Sequence, residues 1–172
     1  MRRWSWCLPL IGILVVGALP FVRYCHQTQA QAVAADFLKR VHDRQLIVQS
    51  GVREKGFMVT LPSLVMGCPQ TISNVLTSEH VIRVEAAGYE VGVRPAEGST
   101  SGPPDCHGRP TSSDYYAWAR PRSVESPGQQ AFAMTATGKI YVFFDGVAPL
   151  ERDMTATGLA TPVESVPAFK IP

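Results

Sequence analysis

The chain has 172 residues, of which 45 % are hydrophobic and 17 % charged, with a formal net charge of +2. That length has room for one membrane segment and one modest domain. Three of the 16 basic residues (Arg2, Arg3 and Arg23) flank an apolar N-terminus, leaving 13 basic against 14 acidic side chains, a balance without the basic footprint of a nucleic-acid binder.

Trp4–Val22 is 19 residues without a charge, WSWCLPLIGILVVGALPFV. At about 1.5 Å of rise per residue a helix of that length crosses most of a hydrocarbon core of roughly 30 Å. A signal peptide needs small residues close behind the apolar run. The nearest A-x-A, Ala30-Gln31-Ala32, ends ten residues beyond Val22, across Arg23, Tyr24, Cys25 and His26. Neither Cys7 nor Cys25 has the small-residue context of a lipid-modified cysteine. The pattern predicts an uncleaved anchor over residues 1–23, with Arg2 and Arg3 in the cytoplasm.

From Gln27 to Ser50 there is no Gly or Pro. Val33, Phe37, Val41, Gln45 and Val48 recur at helical spacing, with Ala30, Ala34 and Leu38 beside them, while Asp36, Lys39, Arg40, Asp43 and Arg44 take the other side. Residues 24–51 therefore continue the anchor as an exported helix that packs on the following domain and stops at Gly51. Pro20 is expected to bend this helix near the membrane face.

Residues 52–150 form the domain. Residues 52–80 read as a loop with one short helix. Val81–Glu85 and Gly88–Arg94 alternate as strands. The segment 95–113, PAEGSTSGPPDCHGRPTSS, reads as a long surface loop. Asp114–Pro121 is an aromatic strand, and Gln130–Ala136 and Lys139–Asp145 form a hairpin through a two-residue turn at Thr137-Gly138. The tail 151–172 has no sustained periodicity and is expected to be loose. Crowding of Pro and Gly, 14 of each, into the second half argues for strands and loops over a helical bundle.

A long N-terminal helix, a variable loop and a few antiparallel strands together resemble a type IV pilin or a type II secretion pseudopilin. Pro9–Pro20, PLIGILVVGALP, is similar to the apolar pilin core with its helix-kinking proline. Ala32–Leu64 resembles the helix end and the following GFMVTLPSL-type segment. In Tyr115–Gly146 the positions Tyr116, Ala119, Pro121, Gly128, Phe132, Gly138, Ile140 and Tyr141 fall on the strand pattern of small pilin-like proteins. The resemblance implies an α+β fold in which a long N-terminal helix, its first half membrane-embedded, packs on a small antiparallel sheet with Tyr116, Phe132, Ile140 and Tyr141 in its core. It implies a structural subunit in the inner membrane whose partners are other pilin-like subunits and the assembly machinery. Gly12, Gly17 and Pro20 would serve helix packing in the filament. The chain departs from the pattern in two respects: no Gly precedes Gly12, and the apolar segment lacks the Glu that pairs with a neighbouring subunit's amine.

Cys68 and Cys106 lie in the loops flanking the first strands and, in an oxidising compartment, are predicted to pair. That bridge closes 38 residues of sequence and contributes roughly 4 kcal/mol on the chain-entropy view. Cys68, His80, Cys106 and His107 lack the C-x-x-C or H-x-x-x-H spacing of a zinc site. Neither G-x-S-x-G nor H-E-x-x-H nor a phosphate-binding glycine loop is present, so no catalytic residue, metal or cofactor is implied. Arg40, His42 and Asp43 read as a solvated helix face, and alternate members of the aromatic group at 115–144 as the sheet core.

Overall fold

A computed structural model describes residues 7–51, 56–69, 73–123, 130–147, 151, 154 and 161–162, with side chains from Gln27 onward. The fold is α+β, as the resemblance implies. One helix, α1 (Cys7–Gly51), runs for 45 residues, roughly 68 Å at about 1.5 Å per residue. Its apolar first half, with Gly12, Gly17 and Pro20, lies outside the residues whose side chains are described. Among the described residues, no helix is long and apolar enough to cross a membrane.

The second half of α1 packs as its periodicity predicts. Ala30, Ala34, Phe37, Leu38, Val41, Gln45 and Val48 are buried, and Val33 packs partly buried against them. Gln45 belongs on this apolar stripe for a specific reason. Its Nε2 donates to the Met58 carbonyl at 2.6 Å, and its Oε1 accepts from the Met58 N–H at 3.0 Å, so one side chain satisfies a buried strand residue. Arg44 departs from expectation. Instead of covering the solvent side it is buried, its Nε donating to the Leu64 carbonyl at 3.1 Å.

Four elements follow α1: β1 (Phe57–Met58), α2 (Leu61–Met66), α3 (Ser78–Ala86) and β2 (Tyr89–Pro95), the first strand of the main sheet. Val81–Glu85 is thus helix and not strand. The residues that settle it lie outside that five-residue window: Thr77 and His80 form a capping box and Glu79 sits in the first turn. Val84 is buried with Val81 packed beside it one helical turn away, while Ile82, which alternation would pair with Val84, is exposed. The segment 95–113 is not a plain loop either. It holds β3 (Ser101–Gly102) and β4 (Thr111–Ser112), which with β1 make a three-stranded sheet in the order β1-β4-β3.

The main sheet adds β5 (Tyr115–Pro121), β6 (Ala131–Thr135), β7 (Ile140–Phe143) and β8 (Thr161–Pro162), antiparallel in the order β2-β5-β6-β7-β8. The β6–β7 pairing Met134↔Ile140 extends to a connection whose turn bond runs from the Gly138 N–H to the Thr135 carbonyl. The turn therefore spans three residues, Ala136-Thr137-Gly138, not two, with Gly138 at φ +74° supplying the left-handed position that such a loop requires. The tail is not uniformly loose. Met154 is buried on the sheet's outer face, and β8 pairs with Tyr141 and Val142, where the β7 edge would otherwise remain open.

Alternation divides the sheet's side chains cleanly. Tyr89, Val93, Tyr115, Ala117, Ala119, Phe132, Met134, Ile140 and Val142 face α1 and form the main core. Tyr116, Ala131, Ala133 and Phe143, with Trp118 and Tyr141 partly buried, line the opposite face. Phe132 and Ile140 are therefore core residues as predicted, whereas Tyr116 and Tyr141 belong to the second, outer cluster.

Candidate functional site

The predicted disulfide is present: Cys68 and Cys106 lie with Cα atoms 5.8 Å apart and their sulfurs bonded. It joins the end of α2 to the 103–110 turn, and a polar network surrounds it. His107 Nε2 bonds the Gly67 carbonyl at 2.9 Å, Arg109 Nη1 donates to Ser63 Oγ at 3.2 Å, and Asp105 Oδ1 accepts from the N–H groups of His107 and Arg109. With the cysteines bonded, His107 on a carbonyl and His80 in its cap, the four residues considered for a metal set each have a structural task.

The RVHDR face of α1 is less solvated than its charges suggest. Arg40 pairs with Asp36 at 2.7 Å and reaches the Val75 carbonyl at 3.4 Å. His42 Nδ1 lies 2.9 Å from the Tyr115 hydroxyl and packs over the Gly138 turn, locking α1 to the β6–β7 hairpin. Burial pushes the Tyr115 and Tyr89 phenols well above their ordinary range, so both stay neutral; Asp114 and Asp43 add to the effect at Tyr115.

Between α1 and α3 lies a cleft of about 140 Å³. Ala32, Val33 and Phe37 supply its apolar floor, and Asp36, Arg40, His80 and Arg83 its polar rim. His80 Nδ1 accepts from the Thr77 N–H at 3.2 Å, so that nitrogen carries no proton and the ring N–H sits on Nε2. Neither Nε2 nor the exposed Arg83 guanidinium has a partner among the described residues. Sequence reasoning misses this cleft because the local pattern puts His80 on a loop and Arg83 on a strand. The available signal was Thr77 followed three residues later by a side chain able to cap it.

The outer sheet face carries a second ordered group. Tyr116 and Trp118 stack with centroids 5.8 Å apart, Arg94 lies 4.7 Å above the Tyr116 ring, and the Trp118 indole covers its cross-strand partner Gly92. At the margin of this face Glu151 fastens the tail: its Oε2 accepts from the Glu97 N–H and lies 3.9 Å from Arg94 Nη2. Its Oε1 is buried without a hydrogen bond among the described residues. Burial raises the Glu151 pKa above its ordinary 4.5, the Glu97 N–H and Arg94 opposing and the Glu97 and Asp114 charges adding. A carboxyl raised on folding contributes stability below its unfolded value and loses it as pH rises through the folded value. Glu151→Gln, neutral throughout, is therefore expected to gain thermal stability relative to the native chain as pH is raised from 4.5 to 7; a pH-independent difference in melting temperature between the two would refute this.

These features are a cross-linked subdomain, an apolar cleft with a charged rim and an aromatic outer face. Comparison of the chain with protein-family models, with characterised proteins and with solved structures finds no match.

Proposed function

We propose that this chain is a membrane-anchored, pilin-like structural subunit, in a minor role, of a type IV pilus or type II secretion pseudopilus. Its first 23 residues would sit in the inner membrane, with the domain in the periplasm or outside the cell. The observation that carries this reading is the continuity of α1, a single helix from Cys7 to Gly51 whose second half is built into the domain core. A helix shared between an apolar N-terminus and a core couples the domain rigidly to its anchor, which is what a stacked filament subunit requires. The alanines that suggest a cleavage region support the same reading from another side. Of the Ala30-Gln31-Ala32 triplet Ala30 is buried and Ala32 half-buried, and Ala34 and Ala35 just beyond are buried, so small residues here serve close packing of the helix. A cut after Ala32 would remove part of the packed helix. Gly12, Gly17 and Pro20 would serve contacts between neighbouring helices, and the other partners would be pilin-like subunits and the assembly machinery.

The test is the intact mass of the chain from isolated membranes, with its recovery in sheared filaments. Recovery from membranes with the apolar segment retained, together with presence in the sheared fraction, is the expected result. A membrane-bound chain absent from filaments would favour a stand-alone tethered domain, consistent with the missing Glu of the apolar segment. A soluble product beginning after Ala32 would overturn both.

A further inference from the structure

We propose that the α1–α3 cleft is a docking site for a second copy of this chain, and that its occupant is the Phe144–Asp145 knob that follows β7. This inference rests on the subunit reading above and specifies a contact within it. The cleft asks for an amphipathic anion. Val33 and Phe37 form an apolar floor; on the rim the Asp36 carboxylate is offset by its Arg40 partner at 2.7 Å, and two donors stand without partners among the described residues, the Arg83 guanidinium and the His80 Nε2–H. Its volume, about 140 Å³, is close to the roughly 150 Å³ of an apolar cavity that accepts a benzene ring.

The same chain displays a matching ligand. Phe144 is 61 % exposed and Val147 56 %, a degree of apolar exposure found at few positions in the domain. Asp145, itself exposed, stands between them in sequence, with Oδ1 taken by the Val147 N–H at 3.0 Å. A ring inserted between Val33 and Phe37 would carry the adjoining carboxylate to Arg83 and His80, so both the apolar and the charged halves of the cleft find complements.

Topology keeps the two features apart within one molecule. The cleft belongs to α3, which packs on β2 at one edge of the main sheet, whereas the knob follows β7, three strands across. At about 4.8 Å per strand the offset is roughly 14 Å, so cleft and knob meet only between copies. A contact between two different patches is heterologous: each copy leaves one cleft and one knob free, and repetition builds an open row or helix, not a closed dimer.

The experiment uses the full-length chain in the membranes of the cells that make it. A benzophenone side chain replaces Phe144, and adducts are mapped by mass spectrometry after irradiation. The expected adduct joins position 144 of one copy to residues 32–40 or 76–86 of another. Arg83→Glu and Asp145→Arg should each reduce its yield about tenfold, and the double charge reversal should restore it, which loss of folding would not do. An adduct elsewhere on a second copy, or failure of the double reversal, would overturn this contact while leaving the subunit reading intact. So would an adduct to a different protein. If no adduct to a second copy forms and the chain is also missing from the membrane fraction, the subunit reading falls with it.

Discussion

Gly67→Ala is expected to destabilise the domain by about 3 kcal/mol or more, lowering its melting temperature by on the order of 10 °C or more. Two independent effects converge there. Gly67 sits at φ +60°, ψ 175°, a backbone region that side-chain-bearing residues essentially do not occupy. A Cβ added to it would also lie 1.6 Å from Arg44 Nη2. Arg44 has no easy retreat, because it is buried and its Nε serves the Leu64 carbonyl at the end of α2. Moving the guanidinium would strand a buried carbonyl and disturb a buried charge, each costly in a low-dielectric setting. A double-mutant cycle separates the two effects. In an Arg44→Met background the clash is gone and only the backbone strain remains, so the cost of Gly67→Ala should shrink by at least about 1 kcal/mol. Thermal melts of the detergent-solubilised chain measure this. Equal cost in both backgrounds would assign the whole effect to the backbone.

Replacing both cysteines, Cys68→Ser with Cys106→Ser, is expected to cost about 4 kcal/mol, since the bridge closes a span of 38 residues. Its loss should be felt unevenly. The main sheet is held by the long pairings of β2, β5 and β6, whereas the three-stranded sheet is made of two-residue strands and depends on its surroundings. The His107–Gly67 and Arg109–Ser63 bonds bridge the same two segments as the disulfide, so they should weaken together with it. Hydrogen exchange should therefore rise first at Phe57, Met58 and residues 101–112, while β5 and β6 stay protected. Uniform loss of protection across both sheets would show instead that the disulfide holds the whole fold.

The elements legible in the sequence were those whose signal is local and repeated. The second half of α1 declared itself through a stripe several turns long, and the structure buries that stripe. β5, β6 and β7 were legible because alternation over several residues is distinctive and the Thr137-Gly138 pair marks a turn. The cysteine pair followed from placement in two loops. α3 was not legible, because five residues of V-I-R-V-E fit either period and its capping box lies outside them. β3, β4 and β8 are two-residue strands. No two-residue segment carries a period, so they exist only through the edges they pair with, β4 on β1, β3 on β4 and β8 on β7.

Composition and pattern by themselves determined the apolar N-terminus, the helix that follows it, the antiparallel character of the second half and the cysteines that pair. Tertiary structure alone decided which charged and polar residues go inside. Arg44 and Gln45 are adjacent on α1, and nothing in their spacing says that one reaches the Leu64 carbonyl while the other brackets Met58. Both answers depend on where a distant segment leaves a backbone group out of water. The same is true of the α1–α3 cleft: Phe37 and Arg83 lie far apart in sequence, and only packing sets an apolar floor beside that guanidinium. Periodicity reports which face of an element is buried. Partners of buried polar groups are set by long-range geometry, which a local pattern does not encode.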